Sequence, residues 1–297
     1  MIIRKFAAID IGSNALRLLI SNVIEQEDRP AAFKKSEIIR VPVRLGEDAF
    51  LRRRISERNV IRLTQTMQAF DLLMQVYGVE KYWACATSAL REAKNGKAVV
   101  QQVLGDSGVN IDIINGAQEA SIIASTDLKD LIRDDTFYLY VDVGGGSTEL
   151  TLFDKGQQIG SKSFKIGTVR ILNGLVEESV WSGIKSWIQA NVPDDGSVEI
   201  IGSGGNINKL HKMSGRKVGQ PLSYLWLKGE YQFLESMDYS QRILQLGLNQ
   251  DRADVIVPAI KIYLNAAKWS KAKKIHVPKI GLADGMVKML YYGKGGS

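Results

Sequence analysis

The sequence predicts an α/β protein built from two related domains. Two segments, residues 6–20 and 139–152, share one pattern: an apolar strand ending in Asp-x-Gly, a polar turn and a second apolar strand. A repeated unit of this kind indicates an internal duplication in which each copy begins one domain. Because strand-like and helix-like segments alternate in both halves of the chain, the predicted architecture is α/β.

The boundary between the two domains is predicted near residues 125–135, where charged residues cluster. The domains then cover residues 1–125 and 126–297, and the last helix, residues 282–291, is free to pack back on the first domain. Ser56 is the predicted N-cap of a helix that Gly78 ends. Further helices are predicted at residues 118–131, 207–213 and 251–269, and strands at residues 81–86 and 198–201.

The composition is that of an ordinary globular protein with a sizeable core. The chain has 297 residues, of which 45% are hydrophobic and 24% are charged. No stretch approaches the roughly 20 apolar residues that span a bilayer, and residues 1–8 lack the apolar core of a signal peptide. Cys85 is the only cysteine, which excludes an intrachain disulfide and suits a reducing compartment. We therefore expect a cytoplasmic protein with no membrane partner.

The net charge of +7 favours a polyanionic partner without specifying it. Nucleic acid, nucleotide and inorganic polyphosphate are all open on charge alone. No nucleic-acid recognition motif accompanies the charge, so nucleic acid is not the expected partner. The cluster of Lys268, Lys271, Lys273 and Lys274 is typical of a solvated helix end, with a polyanion-binding surface as the alternative.

Three glycine-containing loops, each directly after a predicted strand, are candidate phosphate-binding sites. Glycine lets the backbone approach an anion closely, and successive N–H groups can point into one concavity. The third loop also precedes a helix, whose N-terminus favours a phosphate. None matches the P-loop or the dinucleotide fingerprint. The loops are residues 10–14 with Ser13 and Asn14, residues 142–148 with Gly144, Gly145, Ser147 and Thr148, and residues 202–206 with Gly204 and Gly205.

Five segments together resemble the exopolyphosphatase/guanosine pentaphosphate phosphohydrolase family. They are AIDIGSN (8–14) with Arg17, ATSALREA (86–93), VDVGGGSTE (141–149), GSGG (202–205) and RADVIVP (252–258). The resemblance extends over about residues 6–290. It implies two RNase H-like domains of the actin, sugar kinase and heat-shock ATPase superfamily, with the active site in an interdomain cleft. It also implies a short, two-domain member without the additional C-terminal helical domains of longer members.

The resemblance implies a role for each candidate residue by its position. Glu119 falls on the catalytic glutamate, which orients or deprotonates the attacking water. Asp142 and Glu149, together with Asp10, are the implied carboxylate ligands of Mg²⁺. Arg91 offers a planar fork to phosphate oxygens, and the loop residues named above complete the phosphate site. The implied reaction is Mg²⁺-dependent release of the terminal phosphate from inorganic polyphosphate, guanosine pentaphosphate or both.

One segment departs from the family pattern. The family usually has two glutamates followed by Ala and Arg, whereas this chain has Gln118, Glu119, Ala120 and Ser121. The glutamate next to the alanine is present, so hydrolysis is still expected. The two replacements bear on substrate preference and rate.

Two alternatives to the hydrolase stay open at this point. A kinase or ATPase of the same superfamily would bind a nucleotide around residues 202–206 and consume ATP. A sensor would bind nucleotide or polyphosphate and release no phosphate, because of the altered segment at Gln118. The sequence does not choose between polyphosphate and guanosine pentaphosphate. A homodimer, which would extend a basic groove for a long polymer, is an expectation from the net charge alone.

Overall fold

The computed structural model describes residues 1–126, 132–133, 135–193 and 197–295. The chain divides into two compact units, Met1–Thr126 with Leu282–Ser297, and Asp127–Gly281. The last helix of the sequence therefore belongs to the first unit. Four charged residues of the predicted boundary lie outside the described residues: Asp127, Lys129, Asp130 and Asp134.

The first unit is a five-stranded mixed sheet with helices. Its elements are β1 (Ile2–Ile11), β2 (Leu16–Gln26), β3 (Arg29–Val41), α1 (Leu45–Glu47), a π-helix (Asp48–Arg52), α2 (Glu57–Tyr77), β4 (Lys81–Ala86), α3 (Ser88–Glu92), α4 (Gly96–Ser107), β5 (Asp112–Ile113) and α5 (Gly116–Ala124). The strand order is β3-β2-β1-β4-β5. The first three strands are antiparallel, and β4 and β5 run parallel to β1.

The second unit is a six-stranded mixed sheet. Its elements are β6 (Phe137–Val143), β7 (Thr148–Asp154), β8 (Gln157–Phe164), α6 (Thr168–Leu172), α7 (Glu178–Asn191), β9 (Val198–Ser203), α8 (Gly205–Met213), β10 (Leu222–Ser223), α9 (Tyr224–Ser236), α10 (Tyr239–Leu244), α11 (Gln250–Ala253), α12 (Ile256–Trp269) and β11 (Lys274–His276). The chain then returns to the first unit with α13 (Leu282–Tyr291). The strand order is β10-β11-β9-β6-β7-β8.

The two sheets repeat one topology. Each begins with a three-stranded antiparallel meander, and a later strand, β4 or β9, then pairs in parallel with the first strand of the meander. The turn between the first two strands is closed in the same way in both, from Gly12 N to Ala15 O (3.3 Å) and from Gly144 N to Ser147 O (3.0 Å). The duplication that the two Asp-x-Gly segments predict is therefore present in the fold.

Helix α13 packs on the sheet of the first unit. It contacts β1, β2, β4 and α5. The approach to α5 is backbone to backbone, because a Cβ at Gly285 would lie 2.1 Å from the carbonyl oxygen of Ile122. At the other end, the ring of Tyr291 makes edge contacts with Phe6 and Phe33. The last helix thus buries Leu282, Met286, Val287 and Leu290 within the first unit.

The structure confirms some predicted helices and corrects two. Ser56 caps α2 by accepting from Asn59 N, and Gly78 ends it with a φ of 66°. The helix expected over residues 118–131 ends at Ala124, and residues 127–131 lie outside the described residues. The helix expected over residues 251–269 is interrupted after Ala253, because Pro258 has no N–H for a helical bond to residue 254 and its ring would clash with that carbonyl. No described helix has both the length and the apolarity to cross a bilayer.

Candidate active site

Asp10 and Arg17 face each other at the end of the β1–β2 pair. The two residues are in register, and Arg17 Nη1 donates to Asp10 Oδ2 at 3.2 Å. Asp10 is only 8% exposed. Burial raises the pKa of the Asp10 carboxyl, and the Arg17 guanidinium opposes that rise. The candidate carboxylate of the first unit is therefore matched by a cation.

The turn that follows β1 is held by two other segments of the first unit. The hydroxyl of Ser13 is hydrogen-bonded to that of Ser88, at the start of α3, over 2.9 Å. The backbone oxygens of Ser13 and Asn14 accept from Gly46 N (2.7 Å) and Arg44 N (3.0 Å). Arg44 sits in the left-handed region, with a φ of 62°. The two predicted phosphate-binding residues of this turn are thus fixed relative to α3.

Arg91 and Glu119 come together after β4 and β5. Arg91, on α3, donates from Nη1 to the backbone oxygen of Ile114 at 2.8 Å. The same Nη1 lies 4.0 Å from Glu119 Oε2. Glu119 is in the first turn of α5 and is 8% exposed. The predicted phosphate-binding arginine and the predicted catalytic glutamate are therefore neighbours, 28 positions apart in sequence but adjacent in space.

Cys85 links this pair to Asp10. It lies in β4, in register with Asp10 on β1 and Asp112 on β5. Burial raises the pKa of the Cys85 thiol strongly, and the carboxylates of Asp112, Asp10 and Glu119 raise it further. The thiol therefore stays protonated and is not a nucleophile. The ends of β1, β4 and β5 meet here, through Thr87 N to Ile11 O (3.2 Å) and Ile114 N to Ala86 O (3.0 Å), so Asp10 and the helix of Glu119 lie at the same end of the sheet.

Gln118 caps the start of α5, a structural role that glutamine fills as well as the family's glutamate would. Its Oε1 accepts from Asn115 N at 2.9 Å, and Asn115 Oδ1 accepts from Gln118 N at 2.9 Å. This is a capping box, in which glutamine and glutamate are equivalent. Replacement of the carboxylate therefore leaves the start of α5, and with it the position of Glu119, intact. Ser121, the other departure, is exposed.

In the second unit, Asp142 and Glu149 occupy the positions that Asp10 and Arg17 occupy in the first. They are in register across β6 and β7, so both carboxylates project from one face of the sheet. Glu149 is 2% exposed and accepts a hydrogen bond from the Ser163 hydroxyl at 2.9 Å. Like charges directly opposite each other are destabilising, and a cation that both carboxylates bind would remove that repulsion.

The Gly144–Gly146 turn is held by the segment that follows β8. A Cβ on Gly167 would lie 2.4 Å from the carbonyl carbon and oxygen of Gly145, so two backbones are in direct contact. Thr168 N donates to Gly144 O at 3.0 Å, and Arg170 Nε donates to Gly146 O at 2.7 Å. With its carbonyls engaged in this way, the turn has one defined shape.

The two hydroxyl side chains of this turn are buried. Thr148 is 1% exposed and donates its hydroxyl hydrogen to the backbone oxygen of Ile166 at 2.7 Å. Ser147 is 5% exposed. In this arrangement Thr148 anchors the turn, and its hydroxyl hydrogen is already engaged.

The third predicted loop brings the start of α8 beside Asp142. Gly204 has a φ of +115°, which side chains rarely adopt, and a Cβ there would lie 3.0 Å from Val143 O and 3.5 Å from Asp142 Oδ1. Gly205 is the first residue of α8. The helix N-terminus, with its partial positive charge, therefore adjoins the Asp142–Glu149 pair.

The residues of the second unit fit a magnesium ion better than those of the first. Magnesium usually takes one or two protein carboxylates and completes its shell with water and substrate phosphates. Asp142 and Glu149 are two carboxylates in register, as that pattern requires, whereas the first unit places one carboxylate, Asp10, opposite a cation, Arg17. Among the described residues there is no cluster of three or more His, Cys, Asp or Glu side chains that could hold a metal ion.

Three residues that support the site were not predicted. Ser88 bonds to Ser13, and Gly167 and Arg170 hold the triple-glycine turn. Each acts on a loop that is distant in sequence, and no local pattern marks it. Of these three residues, only Ser88 lies in a segment that the sequence analysis singles out, ATSALREA.

These features define an α/β protein of two duplicated units, each with an acidic residue at the end of its first strand and a glycine-containing turn after it. The chain belongs to the Ppx/GppA phosphatase family, whose model matches residues 36–291. The predicted family is thereby confirmed.

Individual relatives match over different shares of their length. The chain is 34% identical over 203 residues to the bifunctional 3-dehydroquinate synthase/phosphatase of Fusobacterium nucleatum, covering 63% of this chain and 30% of that protein. It is 31% identical over 176 residues to exopolyphosphatase 2 of Mycobacterium tuberculosis, covering 58% and 54%. The chain thus spans well under two thirds of each. The structure of an exopolyphosphatase from Cytophaga hutchinsonii, at 22% identity, superposes with a TM-score of 0.85 over 99% of this chain and 100% of that one. The predicted α/β fold is confirmed.

Proposed function

We propose that this protein is a Mg²⁺-dependent phosphohydrolase that releases the terminal phosphate from inorganic polyphosphate, guanosine pentaphosphate or both. The observation that carries the proposal is the placement of the buried carboxylate of Glu119 4.0 Å from the guanidinium of Arg91. The name of the mycobacterial relative, an exopolyphosphatase, supports the same reaction.

Hydrolysis of a phosphoanhydride needs little covalent help from the protein. The water must be held in line, and the charge on the equatorial oxygens must be stabilised. Arg91 can bind two phosphate oxygens with its fork while its Nη1 stays anchored to Ile114 O, so the guanidinium is already oriented. Glu119, beside it, can orient the attacking water and accept its proton.

The glycine turns and the metal would stabilise the negative charge of the phosphate oxygens. Asp142 and Glu149 would hold Mg²⁺, which when bound supplies positive charge to phosphate oxygens. The N–H of Gly144 already donates to Ser147 O. The N–H groups of Ser13 and Asn14 in the first unit, and of Gly145, Gly146 and the start of α8 in the second, can each donate to phosphate oxygens. The engaged carbonyls described above fix these turns, so their N–H groups need little reorganisation when the anion binds.

The test is release of inorganic phosphate from long-chain polyphosphate and from guanosine pentaphosphate, with and without Mg²⁺, by the wild type and by Glu119→Ala. Metal-dependent release that Glu119→Ala abolishes, with binding retained, is the expected result. Tight binding with no release by the wild type would replace the hydrolase with a sensor. Phosphate transfer from ATP to a second molecule would replace it with a kinase.

A further inference from the structure

Three consecutive arginines form an exposed turn that begins with the last residue of the π-helix and leads toward α2. Arg52, Arg53 and Arg54 are all exposed, and the side chain of Arg52 keeps 73% of its surface open to solvent. Arg53 has a φ of 54°, in the left-handed region that a residue with a Cβ rarely adopts. We call Arg52–Arg54 the arginine turn.

The arginine turn is built by residues other than its arginines. Asp48, in the π-helix, accepts from Ser56 N at 2.9 Å and from Asn59 Nδ2 at 2.8 Å, and these bonds connect the π-helix to the start of α2. The next residue after the turn, Ile55, is 1% exposed and is anchored in the core. Contacts other than those of the three arginine side chains therefore hold this backbone shape.

A second segment closes the turn from the other side. The side-chain amide of Asn95 donates to Ile55 O and accepts from Ile55 N, both at 2.9 Å. Lys94 N donates to Arg53 O at 2.8 Å, which places the exposed Lys94 beside the arginine turn. Four cationic residues are thus gathered on two adjoining backbones.

This concentration of positive charge has little internal compensation. Within the described chain, Arg53, Arg54 and Lys94 form no ion pair, and Arg52 only approaches Asp48, at 4.0 Å. Residues 51–58 and 91–97 contain seven arginines and lysines against two glutamates. Like charges on neighbouring residues repel one another, and a bound polyanion would relieve the repulsion.

The arginine turn is contiguous with the candidate phosphate site of the first unit. The π-helix contacts α3, the helix that carries Ser88 and Arg91. The residues just before the π-helix bind the turn after β1, through Gly46 N to Ser13 O. A chain of phosphates bound at Arg91 therefore has a basic surface of the same unit next to it.

We propose that Arg52, Arg53, Arg54 and Lys94 form a second anion-binding surface, which holds the distal phosphates of an inorganic polyphosphate chain. This inference rests on the proposed function, since it takes the terminal phosphate to lie at Arg91 and Glu119. The surface would increase the affinity for long-chain polyphosphate more than the affinity for guanosine pentaphosphate. Residues 51–58 and 91–97 contain no aromatic side chain on which a base could stack, which favours a polyanion without bases over single-stranded nucleic acid.

The test compares binding of long-chain polyphosphate and tripolyphosphate, with EDTA present so that no turnover occurs. The variant is Arg52→Gln/Arg53→Asn/Arg54→Gln, in which asparagine suits the left-handed position. We expect its affinity for the long chain to fall about tenfold or more, with a smaller change for tripolyphosphate. The slope of log affinity against log salt should fall by about 2, from roughly 0.7 for each lost contact to a single-stranded polyanion.

The matched control is Lys268→Gln/Lys271→Asn/Lys273→Gln. It also removes three exposed positive charges, and its central residue, Lys271, is left-handed too, with a φ of 57°. We expect this control to keep most of the long-chain affinity. The charge-preserving variant Arg52→Lys/Arg53→Lys/Arg54→Lys should keep most of it as well, and thermal unfolding of all three variants checks that they fold.

An unchanged long-chain affinity in the arginine variant, or an equal loss of that affinity in the lysine control, would overturn the inference. A third outcome would also overturn it: binding of double-stranded DNA, measured in parallel, falls in the arginine variant while binding of polyphosphate does not. The last would make the arginine turn a nucleic-acid surface. Because the assay measures binding without hydrolysis, it separates the two proposals. Wild type that binds through the arginine turn and releases no phosphate contradicts only the proposed function. Wild type that hydrolyses polyphosphate with no contribution from the arginine turn contradicts only this inference.

Discussion

Asp142 lies directly opposite Glu149 in the antiparallel register of β6 and β7, so that two carboxylates share one face of the sheet. The equivalent pair in the first unit is Asp10 and Arg17, a carboxylate and a cation. The duplicated topology thus carries two different electrostatic arrangements at one position. The first carries opposite charges, and the second carries two carboxylates, the ligand type that Mg²⁺ takes from proteins.

Removing one carboxylate of the second pair should weaken magnesium binding. For Asp142→Asn we expect the Mg²⁺ concentration at half-maximal phosphate release to rise by about tenfold or more, since even the partners of metal ligands contribute 10–100-fold. Calorimetric titration of Mg²⁺ in the presence of a slowly hydrolysed polyphosphate measures the same change. As a control, Asp154→Asn alters a half-buried carboxylate at the far end of β7 and should leave the Mg²⁺ requirement as it is. An equal effect of both variants would contradict the assignment.

Replacing the predicted catalytic glutamate by its amide should stop hydrolysis with little effect on structure. Glu119→Gln keeps the volume and the position in α5, and we expect phosphate release to fall about 10²–10⁴-fold, the usual contribution of a general base. The affinity for substrate should change little. The neighbouring variant Gln118→Glu preserves the capping box and should retain activity. Full activity of Glu119→Gln would exclude Glu119 as the base.

The contact between Gly167 and the triple-glycine turn should not tolerate a methyl group. Gly167 has an extended φ of −154°, so the effect of Gly167→Ala is purely steric. The new Cβ would lie 2.4 Å from Gly145, and we expect a loss of about 1–3 kcal/mol in the free energy of unfolding, the usual cost of overpacking. Weaker phosphate binding should accompany it. Denaturant unfolding measures the first effect and tripolyphosphate binding the second.

Gly183→Ala is the matched control for that variant. Gly183 lies in α7, and a Cβ there meets nothing within 4 Å. Alanine at this helical position should raise the free energy of unfolding by about 0.5–1 kcal/mol. If the two alanine variants shift stability in the same direction, the close approach of Gly167 to Gly145 is not what limits that position.

The Asp10–Arg17 pair should give a pH-dependent stability effect. Arg17→Gln removes the cation that opposes the rise of the Asp10 pKa, so the buried carboxylate is left uncompensated at neutral pH. We expect a loss of about 1–3 kcal/mol in the free energy of unfolding at pH 7. A carboxyl whose pKa is raised in the folded state favours folding below its unfolded pKa and loses that advantage as the pH rises through the folded pKa. The deficit should therefore shrink as the pH falls and Asp10 becomes protonated.

Denaturant unfolding at several pH values between 7 and the acidic limit of folding tests this, with Arg4→Gln as the control. Arg4 pairs with Glu80 at 2.8 Å on the surface, where an ion pair contributes little. A deficit of Arg17→Gln that is the same at every pH would show that Asp10 is not the group responsible.

Much of the fold followed from local patterns in the sequence. The long helix α2 was predictable from its N-cap serine, its apolar spacing and its final glycine. The two hairpins were predictable from strands that flank short polar turns. The interruption between α11 and α12 was missed, because the apolar periodicity continues across it while Pro258 blocks the backbone hydrogen bond.

The candidate site was predictable in its residue types but not in its supports. Glu119 and Arg91 come from two segments that matched the family, and the structure brings them within 4.0 Å. The role of Gln118 in a capping box was not anticipated, although Asn115 three residues earlier was a local sign of it. The contribution of Arg170 to the glycine turn depends on a segment two strands away and left no local sign.

The sequence by itself determined the family, the duplicated strand–turn–strand units and the identity of the carboxylates, arginines and glycines available for chemistry. These depend on residues that are close together in the chain, where backbone preferences and side-chain alternation act directly. Only the tertiary structure decided that α13 completes the first unit, that Gly167 touches Gly145, and that the arginine turn adjoins the helix of Arg91. Such contacts join segments far apart in sequence, and which of them form is decided by how all the apolar surfaces are buried at once.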